Sequence, residues 1–327
     1  MRTVSSCVAL LGLCAGLTAA APAALAQAWP SQKITIVVPF SAGGGHDAMA
    51  RICAEGLATR LGQPVIVENR PGANGMVGAD NVVRAAPDGY TVLFSSPAEI
   101  VIAPSAYKTM RYDPEKDLIP VTLAATTPLV LVANPSLGVH TLPELIALAK
   151  RKPGSLSFGT PGNGSSQQLA GAWLDSLAGI DMQHVPYKGA GPATNDVLAG
   201  TIPLAIVGMA PVLPLIKAGK LVAIAVMTPE RVPFAPDVPT VAETPGMAGF
   251  TASHWMGIFV PAHTPQPIVD QLQAAFAAVL KTPAVRDKLL GMGIVAVGDT
   301  PAEFKAFLEA DRVRFAKMYK LTGLTPE

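Results

Sequence analysis

Along this 327-residue chain, short apolar runs rich in β-branched residues alternate with longer helical stretches, and no other feature limits the fold as much. The expected strands are Ile34 to Val38, Val65 to Glu68, Thr91 to Phe94, Leu129 to Ala133, Leu156 to Phe158, Ile202 to Val207, Leu221 to Met227 and Gly257 to Val260. The expected helices are Asp47 to Leu61, Thr141 to Arg151, Ser165 to Leu177, Ala190 to Ala199, Pro267 to Leu280 and Pro301 to Tyr319. Such alternation predicts the α/β class, with parallel sheets covered by helices on both faces. The strands show little polar alternation, as expected where both faces are buried. One doubly wound sheet could hold them, and so could two α/β lobes with the chain crossing between. Periodicity does not separate the two. Asn69 to Gly75 and the proline-punctuated stretch Pro229 to Gly249 read as loops.

The N-terminus bears on location. Arg2 precedes a short apolar run, Val8 to Leu17, and small residues then lead to Ala24-Leu25-Ala26 before Gln27. That order is a secretory signal peptide with an A-x-A site, which predicts cleavage after Ala26. A membrane anchor is the alternative, but the run is too short to cross a bilayer comfortably. Leu13 before Cys14 does not suit lipidation. The mature chain is therefore expected to be exported and soluble.

Cys7 and Cys14 leave with that segment, so Cys53 remains alone. One thiol forms no internal disulfide, and a buried, inert cysteine is the expectation. Removal of Arg2 from 24 basic residues leaves 23 against 23 acidic ones. A neutral chain with few aromatics offers no basic footprint for nucleic acid.

The most informative local segment is V-V-P-F-S-A-G-G-G-H-D, Val37 to Asp47. A strand runs into Gly43, Gly44 and Gly45, followed by an Asp47 able to N-cap the helix that carries Arg51. Glycines let the backbone turn tightly and aim several amides at one point, and the helix N-terminus adds partial positive charge. This is a receptor for an oxyanion that uses no cationic side chain. An ordinary strand–helix turn with no ligand fits the segment equally well. A P-loop would need Lys-Ser or Lys-Thr after the glycines, and the dinucleotide fingerprint a different glycine spacing.

A second segment, Ser157 to Ser166, reads S-F-G-T-P-G-N-G-S-S. Ser165 or Ser166 can cap the next helix, leaving Thr160 and the glycine amides for a guest. Helix capping alone also accounts for it. Ser95 and Ser96 follow a strand, and ligands of open α/β sheets bind at such carboxyl ends.

Evidence for catalysis or a metal is weak. His46, His140, His184, His254 and His263 are scattered without H-x-x-x-H or H-E-x-x-H spacing. His46 and Asp47 are adjacent on a starting helix and point apart. No G-x-S-x-G is present, and no nucleophile–base spacing is visible. No metal or cofactor is expected.

Together, eight segments in order resemble the Bug family, the solute receptors of tripartite tricarboxylate transporters. They are Trp29-Pro30 with the strand at Ile34, Val38 to Arg51, Val67 to Gly75, Pro87 to Leu93, Gly159 to Ser166, His184 to Pro192, Ile216 to Leu221 and Pro236 to Glu243. The resemblance implies the two-lobe periplasmic-binding-protein fold, each lobe a sheet flanked by helices. Two crossings near Thr126 and Ser253 would give a first lobe of residues 27–126 and 254–327 and a second of 127–253. It further implies a ligand carboxylate between the lobes, held by backbone amides and small hydroxyls. Carried over, Phe40, Ser41, Ala42, Gly43, Gly44, Gly45 and Asp47 form one wall, flanked by Ser95 and Ser96. Thr160, Gly164, Ser165 and Ser166 form the other, with Lys188 at the rim.

Some positions depart from the family pattern. Gln168 stands where a histidine is frequent, Pro203 where an acid is frequent, and many members carry an aspartate near Val207. Loss of those acids disfavours an amino-acid ammonium and favours a dicarboxylate or an aromatic acid. The expected function is a periplasmic solute-binding protein, not an enzyme, with a small organic carboxylate and the integral-membrane transporter subunits as partners. A periplasmic enzyme acting on a carboxylate or ester, or a ligand receptor for a membrane sensor, is the alternative.

Overall fold

The computed structural model describes residues 29–321 and 324–326. The expected signal segment and its cleavage site lie outside the described residues. In chain order the elements are β1 (Ile34–Val38), α1 (Gly45–Leu61), β2 (Val65–Asn69), α2 (Met76–Val83), β3 (Thr91–Ser95), α3 (Ala103–Ala106), β4 (Leu118–Ala133), α4 (Leu142–Arg151), β5 (Ser157–Thr160), α5 (Ser166–Ala178) and β6 (Gln183–Pro186). They continue with α6 (Ala190–Ala199), β7 (Leu204–Gly208), α7 (Met209–Lys217), β8 (Val222–Val226), β9 (Ser253–Pro261), α8 (Gln266–Leu280), α9 (Pro283–Gly291), β10 (Val295–Ala296) and α10 (Pro301–Leu321).

The 16-residue β4 organises the molecule. Its first part, from Leu118 to Pro128, pairs antiparallel with β9, and its last part, Leu129 to Ala133, pairs with β7 and β8. One strand thus belongs to both halves of a sheet ordered β2-β1-β3-β9-β4-β7-β5-β6. The outer strands are parallel, β2 and β3 beside β1, and β6 and β7 beside β5. The centre is antiparallel wherever β4 or β9 takes part. That corrects the expectation of parallel sheets: helical crossovers make the flanks parallel, whereas β4 and β9 run past each other without one.

Local chemistry explains the helix limits. The Thr141–Glu144 capping box opens α4, and left-handed Gly62 and Gly179 end α1 and α5. The predicted Asp47 cap is corrected. Gly44 is the N-cap, and Asp47, in the first turn, reaches back so that its Oδ2 accepts from the Gly43 N–H at 3.1 Å. An acid there is favoured by the helix dipole. α7 was not expected from the sequence because prolines interrupt it. Pro211 sits in its first turn, where a missing N–H costs nothing, and only Pro214 lies inside.

The first half packs β1, α1, β9 and α8 around Val38, Met49, Leu57, Phe94 and Phe276. Around β7, α6 and α7 the second half gathers Val130, Val197, Val207 and Leu213. Cys53 is fully buried in the first of these cores, and burial pushes its thiol up to about 12, an inert state. Trp255 of β9 donates its indole N–H to buried Asp311 at 2.7 Å, fixing α10 across the central strands. Among the described residues, no helix is long and apolar enough to cross a membrane.

Candidate ligand site between the two halves of the sheet

Five strands of the two halves, β1, β3, β5, β6 and β7, turn their carboxyl ends toward a common cavity, the position ligands take in open α/β sheets. Including its mouth, the space measures ≈ 520 Å³. From the first half it is lined by Phe40, Gly44, Gly45 and His46 after β1, by Asn74, and by Ser96 and Ala98 after β3. The second half supplies Pro161, Ser165, Gln167, Ala190, Gly208, Ala210 and Pro211, and the central strands add Thr127, His254 and Met256.

Four helix N-termini meet here. The N-caps of α1 and α5 are Gly44 and Ser165, and those of α6 and α7 are Gly189 and Gly208. Each brings unpaired amides and the positive end of a helix dipole. Among the described residues, no Lys, Arg, Asp or Glu lines the cavity. An oxyanion placed in it meets only dipoles and neutral donors, an arrangement well suited to a carboxylate.

The residues singled out in the sequence fall in different places. Phe40, Gly44, Gly45, Ser96 and Ser165 line the cavity. Ser165 caps α5, its Oγ accepting from the Gln168 N–H at 3.1 Å. Asp47 faces away and pairs with Arg51 at 2.9 Å. Burial alone would raise its carboxyl, but the Arg51 guanidinium, the Gly43 amide and Asn69 hold it below the usual range. Gly43 and Ala42 lie exposed on the turn. Ser95 sits behind the wall, its hydroxyl donating to the Gly257 carbonyl at 3.1 Å. Thr160 Oγ1 lies 2.6 Å from His184 Nε2, and the Gly164 N–H donates to Gln168 Oε1 at 2.6 Å. Lys188 stands at the rim, on a second cleft that shares Phe40, Asn74 and Pro161 with the cavity.

Three polar groups of the cavity were not read from the sequence as a site. His46 packs against Phe40 at 5.0 Å and edge-on to His254 at 5.0 Å, and its Nε2 is buried without a partner. Burial lowers the His46 imidazole to about 4, against a favourable contact with the Ser95 carbonyl. Burial and the neighbouring His46 hold His254 well below the ordinary value. Both rings are neutral at pH 7. Asn74 lines the cavity with amide oxygen and nitrogen both buried and unpartnered. Its left-handed backbone, φ 48°, was the one local signal, since Asn tolerates that region.

Beneath the wall, Glu99 is fully buried and receives the Ser96 N–H and hydroxyl, each at 2.6 Å. Burial pushes its carboxyl up to about 7, against those two hydrogen bonds. Ser166 Oγ lies 2.9 Å from His254 Nδ1, the contact of a nucleophile with a base. Ser166 does not line the cavity, however, and its hydroxyl is also 3.1 Å from Gln167 Oε1. Among the described residues, no cluster of His, Cys, Asp or Glu is placed to hold a metal.

The fold has close counterparts. The profile described as "Tripartite tricarboxylate transporter family receptor", TctC, matches residues 49–324. BugT of Bordetella pertussis is 35% identical over 317 residues, 97% of this chain and 97% of its own length. An R. palustris protein solved with adipate superposes with a TM-score of 0.88 at 33% identity, covering 91% of this chain and 100% of its own. MatC from Rhodopseudomonas palustris, with bound malate, gives 0.84 at 31% identity, covering 88% of this chain and 99% of its own. The architecture is the two-lobe α/β fold of periplasmic binding proteins. This chain belongs to the TctC family, the Bug-type solute receptors of tripartite tricarboxylate transporters.

Proposed function

We propose that this protein is a periplasmic receptor that captures a small carboxylate, a dicarboxylate or an aromatic acid, and delivers it to the integral-membrane subunits of a tripartite tricarboxylate-type transporter. The observation that carries the reading is the convergence of four helix N-termini on a cavity that has, among the described residues, no Lys, Arg, Asp or Glu in its lining. Such a site binds an anion without a fixed cation and offers no carboxylate to an ammonium group. Adipate and malate in two family neighbours are ligands of the same chemistry.

The two halves of the sheet act as the lobes, with hinges where β4 and β9 pass between them, near Thr126 and Ser253. Phe40 to Gly45 and Ser96 form the first wall, Ser165 and its neighbours the second. Binding rather than catalysis is favoured because Ser166 is behind the wall and His254 is too weak a base at neutral pH to activate it.

A thermal-shift panel of C4 to C6 dicarboxylates, citrate, amino acids and aromatic acids tests this. A ligand at a hundred times its Kd adds about 2.7 kcal/mol of stability. A shift with acids and none with amino acids is expected. Stabilisation by amino acids alone, or turnover of an acid or ester, would overturn the reading.

A further inference from the structure

Glu99 is a carboxyl group buried one layer behind the cavity. It stands in a single π-helical turn, Ala98–Ile102, that follows β3. Such wide turns are frequent at functional sites. A Cβ added at Gly75 would stand 2.9 Å from Glu99 Oε2 and 3.4 Å from Phe40 Cζ. The carboxyl is thus packed against the turn that carries Asn74 and close to the Phe40 ring, and Asn74 and Phe40 both line the cavity.

Its two oxygens meet Ser96, a third residue of the lining. Oε1 lies 2.6 Å from the Ser96 backbone nitrogen and Oε2 lies 2.6 Å from Ser96 Oγ. The Ser96 Oγ also accepts the Ala98 N–H at 3.1 Å. These contacts allow Ser96 two arrangements. Beside an ionised Glu99, the hydroxyl proton goes to Oε2, and Oγ keeps one lone pair and no proton for a guest. Beside a protonated Glu99, Oε2–H donates to Oγ, both lone pairs of Oγ are taken, and the hydroxyl proton is free.

No cation offsets the ionised form. The π turn carries no other titratable side chain. Tyr112 donates to the Glu99 backbone carbonyl at 2.7 Å, and its neighbours are Tyr107 and Asp80, the latter paired with Arg84 at 3.0 Å. Helix α10 packs on the turn, but its Lys305, Glu309 and Arg312 lie with Glu115 in the groove beside Ile100, where Arg312 pairs with Glu115 at 2.9 Å. Asp311 of the same helix is held by Trp255 and Arg314. From the turn after β1, His46 is neutral. Among the described residues, Glu99 forms no ion pair. Its burial brings the titration to about 7, so both arrangements of Ser96 are accessible near neutral pH.

A ligand carboxylate in the cavity adds a second negative charge beside the first, and two carboxyls that share a site do not both stay ionised. Resting on the carboxylate-receptor reading, we propose that Glu99 is a positioning residue that acts through Ser96: capture of a carboxylate draws one proton from the buffer onto Glu99 Oε2, and the Ser96 hydroxyl turns from Glu99 to the ligand. Affinity is then full while Glu99 is protonated and falls as the pH rises through its free-state value.

The test is titration calorimetry of the purified protein with adipate, malate and benzoate, all ionised between pH 6.5 and pH 8.5. Each titration is run in two buffers of different ionisation enthalpy. From pH 6.5 to pH 8.5 the affinity is expected to fall about tenfold or more, with uptake of between about half a proton and one proton at pH 8. Glu99→Gln keeps an acceptor for the Ser96 N–H and offers Oγ a fixed donor, as the protonated acid does. It should bind more tightly than the wild type at pH 8.5, vary by about twofold or less over the range, and take up no proton. A carboxyl with a purely structural role would not move the pH profile. Affinity independent of pH in the wild type, binding without proton uptake, or uptake that persists in Glu99→Gln would each overturn the inference and leave the receptor reading standing. Failure of all three acids, and of every acid in the thermal-shift panel, to bind at either pH would overturn the receptor reading and this inference with it.

Discussion

The backbone N–H of Ser41 donates to the backbone carbonyl of Lys188 at 3.2 Å, joining the first half of the molecule to the second across the cavity mouth. Tyr107 adds a second tie, its hydroxyl donating to the Asn163 carbonyl at 3.1 Å. Glycines make this approach possible. A Cβ at Gly191 would stand 3.3 Å from the Ala42 carbonyl oxygen, and one at Gly162 would stand 3.0 Å from Asn74 Oδ1. The structure is thus closed over the site, with contacts from both walls.

Gly191→Val should hold the mouth apart. If only the closed state binds fully, affinity falls by the fraction closed, and a drop of about tenfold is expected. Calorimetry with the tightest acid and small-angle scattering, showing a larger radius with ligand present, check it. Unchanged affinity would mean that closure does not depend on this contact.

Gly44→Val should fill the anion position while sparing the fold. Gly44 has an extended backbone, φ −85° and ψ 171°, and the nearest atom to an added Cβ is 3.9 Å away. Melting should fall slightly, since valine is a poorer N-cap than glycine. Binding should fall about 100-fold or more. Ser165→Ala has the opposite balance, losing about 1 kcal/mol of stability with the cap and a smaller part of the affinity.

Acid should destabilise the ligand-free protein through three histidines withdrawn from water, His254 buried and His46 and His184 half-buried. His46 and His184 are lowered to about 4, and His254 well below 6.5, all by burial first. A depressed folded-state value means that the stabilising difference is complete above pH 6.5 and disappears as the pH falls toward 4. His46 alone would account for on the order of 3 kcal/mol, at about 1.4 kcal/mol per pH unit. Melting curves from pH 7.5 to 4 for the wild type and His46→Gln should converge at the acid end. Parallel curves would show that His46 is not sealed from water.

Glu99 acts in the other direction. Its folded-state value, about 7, lies above the ordinary 4.5. Its contribution is complete below pH 4.5 and is lost as the pH rises through 7. Glu99→Gln, which cannot ionise, should therefore gain stability relative to the wild type between pH 5 and pH 8. The difference in melting temperature across that range is the measurement, and a constant difference would place the carboxyl in contact with water.

Much of the architecture follows from local rules. The strand–helix alternation, the glycine turn after β1, the Ser165 cap and the buried Cys53 depend on neighbours within a few residues, which a sequence displays directly. The expected helices Ala190 to Ala199 and Thr141 to Arg151 differ from α6 and α4 by one residue at most. Asp47 was read as a cap because its type suits one, but the helix starts two residues earlier and the carboxylate reaches back from inside.

What the sequence by itself determined is the α/β class, the glycine-rich turns after β1 and β5 and, through eight ordered segments, the family. The tertiary structure alone decided that β4 and β9 run antiparallel through both halves, that α6 and α7 aim their N-termini at the same space as α1 and α5, and that His46, Asn74 and His254 share its wall. Ser166 and His254 meet although 88 residues separate them, and Ser95 reaches the carbonyl of a residue 162 positions away. Pattern and propensity act over a few residues. A cavity is formed where distant segments stop packing, and its position is set by the sheet order that assembles them.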